Sequence, residues 1–367
     1  MGSFFMGQGG KMDQKFMEMA LEEALKGKGK TKTNPLVGAV LVKDGQVVSK
    51  GYHAYYGGPH AEVRCLKDVE ASGGTLYVTL EPCSHYGKTP PCVDLLIQKK
   101  LRRVVVGELD SNPLVSGRGI KKLKEAGIEV TSGVLEEKCH SINKIFHFTI
   151  QKERPYVVLK MAQTLDGKIA TITGDSQWIT GPEAREDGHR LRGICDGILV
   201  GRGTALKDNP RLTCRTGGRN PLRIVLDREL KTPKTHHLFQ DEKTIFYVGE
   251  KIKSQDLTAT AKAVSVKEGQ RGLDLSEVLK NLYREEKVST LLVEGGSQVI
   301  TSFIREGLVD QWVIYQAPLF IGETGKSAVG DLGVQELKDA FYSEIRGLEA
   351  IGKDVKIQGG RECLLEL

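Results

Sequence analysis

The sequence predicts an α/β protein built as two domains. Three observations carry this prediction. Short apolar runs alternate with stretches of helical apolar spacing along the whole chain, its 367 residues exceed what one compact core ordinarily organises, and a charged run, Lys152-Glu153-Arg154, breaks the pattern before a new apolar strand. The expected domains are residues 12–153 and 154–367.

Residues Met1 to Lys11 (MGSFFMGQGGK) are Gly-rich and without period, and are expected to be a leader outside the fold. Asp13 to Lys26 reads as a helix, because Phe16, Met17, Ala20, Leu21, Ala24 and Leu25 recur at helical spacing before Gly27 and Gly29 stop it. Val37 to Val42 and Gln46 to Gly51 flank Lys43-Asp44-Gly45, a hairpin signal. Ala61 to Val69 carries helical spacing started by Gly57-Gly58-Pro59, and Thr75 to Leu80 is a β-rich run ending directly at Glu81-Pro82-Cys83. Helical character resumes from Val93 to Lys100; Val104 to Val106 is a buried strand, Ile120 to Ala126 a helix and Ile128 to Val130 a strand. Lys121-Lys122-Leu123-Lys124-Glu125 reads as a wet helix face.

In the second half the expected strands are Tyr156 to Met161, Gly197 to Val200, Leu222 to Leu226, Thr244 to Val248, Thr290 to Val293 and Trp312 to Ala317. Helices around Glu183 to Arg192, Leu275 to Glu285 and Gln298 to Glu306 fill the space between them.

Hydrophobic content of 39% and charged content of 27% describe a soluble globular protein. The net charge of +6 comes from 53 basic and 47 acidic residues spread along the chain, which suits anionic metabolites and is too diffuse for nucleic acid. No apolar run approaches the roughly 18 residues of a membrane span, and no signal-peptide core is visible, so a cytoplasmic protein is expected. Seven cysteines, an odd number, favour reduced thiols over a disulfide framework. Cys65, Cys139, Cys195, Cys214 and Cys363 are expected to be small buried hydrophobes.

Cys83 and Cys92 have a different reading. With His60-Ala61-Glu62 upstream they supply three candidate zinc ligands and one carboxylate left over, the order of the H-x-E then P-C-x-x-C signature of zinc deaminases. Zinc held by one imidazole and two thiolates keeps a fourth position open, where bound water loses its proton near neutrality. Glu62, unligated, is the candidate proton relay. Residues two apart on a helix diverge by about 200°, so His60 and Glu62 can converge only at a helix start. Cys92 likewise opens its helix after Pro90-Pro91, and two helix starts aimed at one ion would favour thiolate. Between the cysteines lie eight residues, Ser84 to Pro91, where the signature has two. That loop has to lie over the pocket, and His85 and Lys88 are suited to gripping a phosphate.

Three segments of the second half have functional character: Gln163 to Ala170, Val200-Gly201-Arg202-Gly203-Thr204, and Val293-Glu294-Gly295-Gly296-Ser297. Glycines at strand ends that lead into helices either let backbone N–H groups approach a phosphate or make tight turns. The polar loops Ser176-Gln177-Trp178-Ile179-Thr180 and Lys207 to Thr213 favour the first reading. The Trp178 indole either stacks on a nicotinamide or closes the core.

Taken together these motifs resemble the bifunctional pyrimidine deaminase/reductase family of riboflavin biosynthesis, from about Met12 to the C-terminus. The matching segments are Asn34-Pro35-Leu36-Val37-Gly38, His60-Ala61-Glu62, Thr79 to His85, Gly87 to Cys92, Asn112-Pro113-Leu114-Val115, Leu165-Asp166-Gly167, Ser176 to Thr180, Asp208-Asn209-Pro210 with Leu212-Thr213, and Val293-Glu294-Gly295-Gly296. The resemblance implies a cytidine-deaminase-like α/β/α sandwich followed by a dihydrofolate-reductase-like α/β domain. It implies zinc and NADPH as cofactors and two consecutive reactions: deamination of 2,5-diamino-6-ribosylamino-4(3H)-pyrimidinone 5′-phosphate, then reduction of its ribosyl group to ribityl.

Residue by residue, the resemblance makes His60, Cys83 and Cys92 the zinc ligands and Glu62 the proton shuttle. Asn34, His53, His85, Lys88, Asp110 and Asn112 would hold the base and its ribose phosphate. Ser176, Arg192, Leu212, Arg215 and Glu294 align with substrate contacts of the reductase, while Ala162, Trp178, Thr204, Asp208, Arg228, Gly296, Ser297 and Gln298 align with its NADPH site. Lys160 and Asp166 stand nearby without an assigned role. Two departures are expected to matter: Ser111 replaces the proline usual between Asp110 and Asn112 and should loosen that loop, and Gln163 stands where small residues are usual and should crowd or hydrogen-bond the nicotinamide. The expected partners are a small phosphorylated pyrimidine and further copies of the chain, with neither nucleic acid nor membrane.

Overall fold

Alternate residues of three strands in the first half face opposite layers, as a sheet covered on both sides requires. The computed structural model describes residues 8–86, 90–111, 116–361 and 363–365, and the chain divides into two compact units between Lys152 and Glu153. The first contains α1 (Gln8–Leu25), β1 (Gly38–Lys43), β2 (Gln46–Tyr52), α2 (Ala61–Cys65), β3 (Thr75–Leu80) and α3 (Cys92–Gln98). It continues with β4 (Arg103–Glu108), α4 (Arg118–Glu125), β5 (Glu129–Ser132), α5 (Glu136–Ile142) and α6 (Lys144–Lys152).

The strands are ordered β2-β1-β3-β4-β5, with β1 antiparallel to both neighbours and β3, β4 and β5 parallel. Ala39, Leu41, Leu76, Val78, Val104 and Val106 pack against Ala61, Cys65, Val93, Leu96 and Leu123 of α2, α3 and α4. Their neighbours Val40, Val42, Tyr77 and Val105 pack the other way, against Phe16, Met17, Ala20 and Leu21 of α1 and Cys139 of α5. This is the α/β/α sandwich expected.

α1 begins at Gln8, which corrects the expectation that everything up to Lys11 stands outside the fold. Once the apolar stripe of a helix is docked, adding residues to its end is far easier than nucleating it. α5 and α6 were not foreseen. Among its residues α5 buries only Cys139, too little for a periodic signal. Leu123 is buried within the otherwise solvated charged face of α4.

The second unit runs β6 (Tyr156–Thr164), β7 (Lys168–Ala170), α7 (Pro182–Ile194), β8 (Gly197–Gly201), α8 (Arg202–Asp208), β9 (Leu222–Leu226) and β10 (Thr244–Val248). Then follow β11 (Gln255–Asp256), β12 (Ala261–Ser265), β13 (Glu268–Gly269), β14 (Gly272–Leu273), α9 (Leu275–Arg284) and β15 (Thr290–Val293). The unit ends with α10 (Ser297–Arg305), β16 (Gln311–Ala317), β17 (Lys326–Ser327), β18 (Glu344–Ile351) and β19 (Asp354–Gly360).

Its large sheet is ordered β11-β12-β10-β9-β8-β15-β6-β16-β19-β18. From β12 to β16 every pairing is parallel. The chain walks outward from β8 to β12, then returns to insert β15 between β8 and β6. Such a reversal leaves a crevice at the carboxyl ends of the strands, where open α/β sheets bind ligands. Val157, Leu159, Leu291 and Val293 form the core with α9 and α10. On the other face Asp187 of α7 accepts from the Tyr315 hydroxyl at 2.6 Å and pairs with buried Lys356 at 2.9 Å. The hairpin β18–β19 was not foreseen, because β18 buries no residue fully and so carries no alternation. All seven cysteines are free thiols; Cys214 and Cys363 are only half-buried, a correction to their expected place in the core. Among the described residues no helix is long and apolar enough to cross a membrane.

One close approach fixes α1 on the sheet. A Cβ on Gly38 would overlap the Ala20 carbonyl oxygen and lie 2.6 Å from the Ala24 nitrogen, so helix backbone rides directly on β1. Gly38→Ala is therefore expected to destabilise the first unit by about 3 kcal/mol, the upper end of overpacking costs; an unchanged denaturation midpoint would contradict this contact.

Candidate active sites

The first site forms where one strand ends and two helices begin. His60 is the residue before α2, in extended conformation (φ −65°, ψ 161°), and Glu62 is the second residue of that helix. Cys83 follows β3 and Cys92 opens α3. The His60 Nδ1 atom lies 3.2 Å from Cys92 Sγ and 3.5 Å from Cys83 Sγ, and the Cys92 backbone N–H donates to Cys83 Sγ at 3.3 Å. The three donor atoms lie within 4.8 Å of one another, and among the described residues no fourth donor joins them. One imidazole and two sulfurs with an open fourth position fit a catalytic zinc.

The electrostatics suit that ion. The Cys83 pKa is lowered, chiefly because Cys92 hydrogen-bonds it, with help from His60 and the Cys92 backbone N–H, and the same contact raises that of Cys92. The His60 pKa is raised, first by its hydrogen bond to Cys83. Glu62 is 3% exposed, and burial pushes its carboxyl up, so it gives and takes protons closer to neutrality than a free glutamate.

Asn34 and His53 meet beside the ligands. His53 Nδ1 lies 3.1 Å from the Pro59 carbonyl oxygen, which can only accept, so that nitrogen carries the proton and Nε2 accepts from Asn34 Nδ2 at 3.0 Å. Burial lowers the His53 pKa and keeps the ring neutral. His85 is exposed and Asp110 half-buried. Lys88 and Asn112 lie outside the described residues.

The second site is a cleft of about 1210 Å³ along the carboxyl ends of β6, β8 and β15. Ala162, Ser176, Trp178, Thr204, Asp208 and Arg228 line it, as do Arg192, Glu294, Gly296, Ser297 and Gln298. Leu212 and Arg215 do not. Leu212 is buried with positive φ, and Arg215 is exposed; the intervening Thr213 carbonyl accepts from Arg192 Nη1 at 3.3 Å and sits 3.1 Å from His189 Nδ1. Trp178 closes no core: it is 67% exposed, with the Arg185 guanidinium 4.6 Å from its ring centroid.

Arg192 and Glu294 form a two-pronged ion pair, Nε and Nη2 donating at 2.8 and 2.9 Å. Lys160 Nζ lies 3.9 Å from the same carboxylate. Burial alone would raise the Glu294 pKa; Arg192 and Lys160 hold it at about 2. Burial also lowers the Lys160 pKa. Asp166 is a loop clamp, accepting from the Thr164 hydroxyl and from the backbone of Gly322 at 2.7 Å.

The glycines divide into two kinds. A Cβ on Gly201 or Gly295 would meet Val299 at 2.6 or 2.7 Å, so packing demands those two. Gly203 has no neighbour within 4 Å, and Gly296 only the Thr204 hydroxyl oxygen at 3.9 Å; neither has the positive φ that favours glycine. Both line the cleft, where missing side chains admit a ligand to the starts of α8 and α10.

Residues 155–357 match the RibD C-terminal domain and residues 10–108 the cytidine and deoxycytidylate deaminase zinc-binding region. The riboflavin biosynthesis protein RibD of Aquifex aeolicus is 44% identical over 353 residues, covering 94% of this chain and 98% of that protein. The chain belongs to the RibD family. A solved Acinetobacter baumannii RibD superimposes with a TM-score of 0.83 at 32% identity, covering 96% of this chain and 99% of that one. A Thermotoga maritima deaminase/reductase gives 0.77 at 38% identity, with the same coverage. The fold is thus a cytidine-deaminase-like domain joined to a dihydrofolate-reductase-like domain, and the cofactors of a RibD chain are zinc and NADPH.

Two departures from the RibD pattern have outcomes in the structure. Ser111 does not leave its loop untethered, since its Oγ lies 2.8 Å from His147 Nδ1. Gln163 is not among the cleft walls; it pairs in register with Gln316 of β16. Sequence reasoning missed Glu81, although the segment Thr79 to His85 contained it. Its carboxylate, 4% exposed, accepts from Gly117 and Gly119 N–H at 2.9 Å, Ile120 at 3.3 Å and Asp110 at 3.4 Å. One side chain thereby ties both ends of the loop that carries Asp110.

Four outcomes test these sites. Glu81→Ala strands buried N–H groups and is expected to cost about 3 kcal/mol in denaturant unfolding. Gly203→Ala should stabilise the chain by roughly 0.5–1 kcal/mol through helix propensity while raising the KM for NADPH; a stabilised variant with unchanged KM would show that no ligand approaches there. Arg192→Met should cost roughly 3 kcal/mol at pH 7 by stranding a buried carboxylate. Glu294 titrates at about 2, below the ~4.3 of a free glutamate, so its share of stability is whole above that value and fades as pH falls toward 2. The gap between wild type and Glu294→Gln should narrow over that interval.

Proposed function

We propose that this RibD chain carries out two consecutive reactions of riboflavin biosynthesis: hydrolytic deamination of 2,5-diamino-6-ribosylamino-4(3H)-pyrimidinone 5′-phosphate, then NADPH-dependent reduction of the ribosyl group, giving 5-amino-6-ribitylamino-uracil 5′-phosphate. The observation that carries this is the convergence of His60, Cys83 and Cys92 beside a buried carboxylate that ligates nothing, in a chain that also has the reductase cleft. The Thermotoga maritima relative is named as the deaminase and reductase of this pair of steps.

His60, Cys83 and Cys92 hold the zinc, which when bound brings a water molecule close to ionisation at neutral pH. Glu62, its carboxyl raised by burial, would move both protons of the attacking water, the first to the ring nitrogen and the second to the departing amine, so that the new C–O bond ends as a carbonyl while the C–N bond breaks and ammonia leaves. Neutral His53, locked by Pro59 and Asn34, fixes the Asn34 amide for the pyrimidine edge. His85, Lys88, Asp110 and Asn112 complete the grip on base and ribose phosphate, Asp110 being steadied by Glu81.

In the reductase cleft NADPH supplies the hydride, and the protein's share is positioning. Ala162, Trp178, Thr204, Asp208, Arg228 and the Gly296-Ser297-Gln298 turn would hold the dinucleotide. Ser176, Arg192 and Glu294 would hold the substrate, with Glu294 kept ionised by Arg192 and Lys160. Seven free thiols fit a reducing cytoplasm. The exposed edge strand β18, with Ile345 and Leu348 65% and 69% exposed, suits association with further copies of the chain.

Glu62→Ala tests the first reaction. Ammonia release should fall by about 10²- to 10⁴-fold, the usual share of an acid–base group, while cobalt substituted at the thiolate site keeps its sulfur charge-transfer band. The same variant should still oxidise NADPH when given the deaminated compound. Undiminished ammonia release would remove Glu62 from its role; NADPH oxidation with the diamino compound would reverse the order of steps.

A further inference from the structure

Glu108 closes β4, His140 lies in the last turn of α5 and His147 in α6. None of the three is used in the reactions above, and none is a ligand of the thiolate centre. His140 Nδ1 and His147 Nε2 approach the same carboxylate oxygen, Glu108 Oε1, at 2.6 and 2.8 Å. The three donor atoms lie within 4.8 Å of one another. We propose that Glu108, His140 and His147 form a second metal centre, for a divalent transition ion that prefers imidazole, such as zinc, cobalt or nickel.

The competing account is a carboxylate shared by two histidines, and three details weigh against it. First, Glu108 Oε2 is buried and has no hydrogen-bond partner among the described residues. A buried carboxylate that leaves one oxygen bare forgoes a hydrogen bond, whereas an ion held by both carboxylate oxygens would use it. Second, His147 Nε2 approaches that oxygen at 2.8 Å without the alignment of an N–H donor; burial would raise the Glu108 pKa, and the two histidines lower it, so the pair attracts through charge more than through an aimed N–H. If its Nδ1 carries the proton and donates to Ser111 Oγ at 2.8 Å, Nε2 presents a bare lone pair to an anionic oxygen, which a cation between them would relieve. Third, the two rings are stacked, centroids 4.5 Å apart and planes 3° from parallel, an arrangement that two imidazolium charges would oppose.

The donor set also has the chemistry of a site. Two imidazoles and one carboxylate leave positions open for water and favour late first-row ions over magnesium or calcium. A ligating histidine ordinarily anchors its other nitrogen, and His147 has Ser111 for that purpose. Glu108 and His147 are buried, while the His140 side chain is 54% exposed, so an ion enters from the His140 side. The residue after the proposed substrate contact Asp110 is the anchor itself, Ser111.

Cobalt titration of the full chain, stripped of metal by chelator, tests the proposal. The first equivalent should fill the thiolate centre and give a sulfur charge-transfer band. A second should bind with only weak d–d absorption, and elemental analysis after desalting should find two ions per chain. His140→Ala, at a half-exposed side chain, should bind one ion and keep the charge-transfer band intact, and His147→Ala should do the same. A single ion in the wild type overturns the proposal, and so does retention of two ions in either variant.

Discussion

His60 and Glu62 serve one centre only because α2 starts between them. Inside a helix their side chains would point to nearly opposite sides; with His60 still extended and Glu62 in the first turn, imidazole and carboxylate reach the same space. Cys92 obeys the same constraint at the start of α3, and Cys83 arrives from the end of β3. The sheet has to terminate strands where the helices begin, so the parallel β3–β4–β5 arrangement is a condition of the chemistry. Gly38, by letting α1 ride on β1, keeps the far face covered while the near face presents the site.

Buried carboxylates do unlike work in this chain according to what surrounds them. For Glu62 burial outweighs the lowering by His60, and its pKa rises. Glu294 is also buried, but a two-pronged guanidinium and the Lys160 ammonium reverse the sign and hold it at about 2. Glu81 accepts from the backbone N–H groups of Asp110, Gly117, Gly119 and Ile120, and so ties Asp110 to the start of α4. One residue type thus supplies a carboxyl raised by burial, a fixed charge and a loop anchor, and only the partners distinguish them.

What the sequence disclosed follows the strength of local signals. Leu222–Leu226, Thr244–Val248 and Thr290–Val293 were legible to the residue because central parallel strands are continuous apolar runs. β18 was not, since it buries none of its residues fully, and α5 was not, since Cys139 is its one buried residue. The zinc-type donors were legible because their order in the chain is itself the signature. Glu81 stood inside a recognised motif, yet its role depends on N–H groups some 30 to 40 positions downstream, which no local pattern reveals. For the same reason Gln163 looked like an intruder in the cleft, when strand register sends it to Gln316 instead.

The glycines at the reductase cleft show where a sequence is silent and a structure is not. Gly201, Gly203, Gly295 and Gly296 look alike on the page, all beside strand ends leading into helices. Gly201 and Gly295 are there because Val299 leaves no room for a methyl group. Gly203 sits in a helix, where glycine is less stable than alanine by up to about 1 kcal/mol, with nothing near enough to require it and no backbone angle that demands it. A residue that destabilises its own helix without a packing or conformational reason is explained by something outside the chain. The cleft it faces runs past the starts of α8 and α10, whose positive dipole ends favour an anionic ligand.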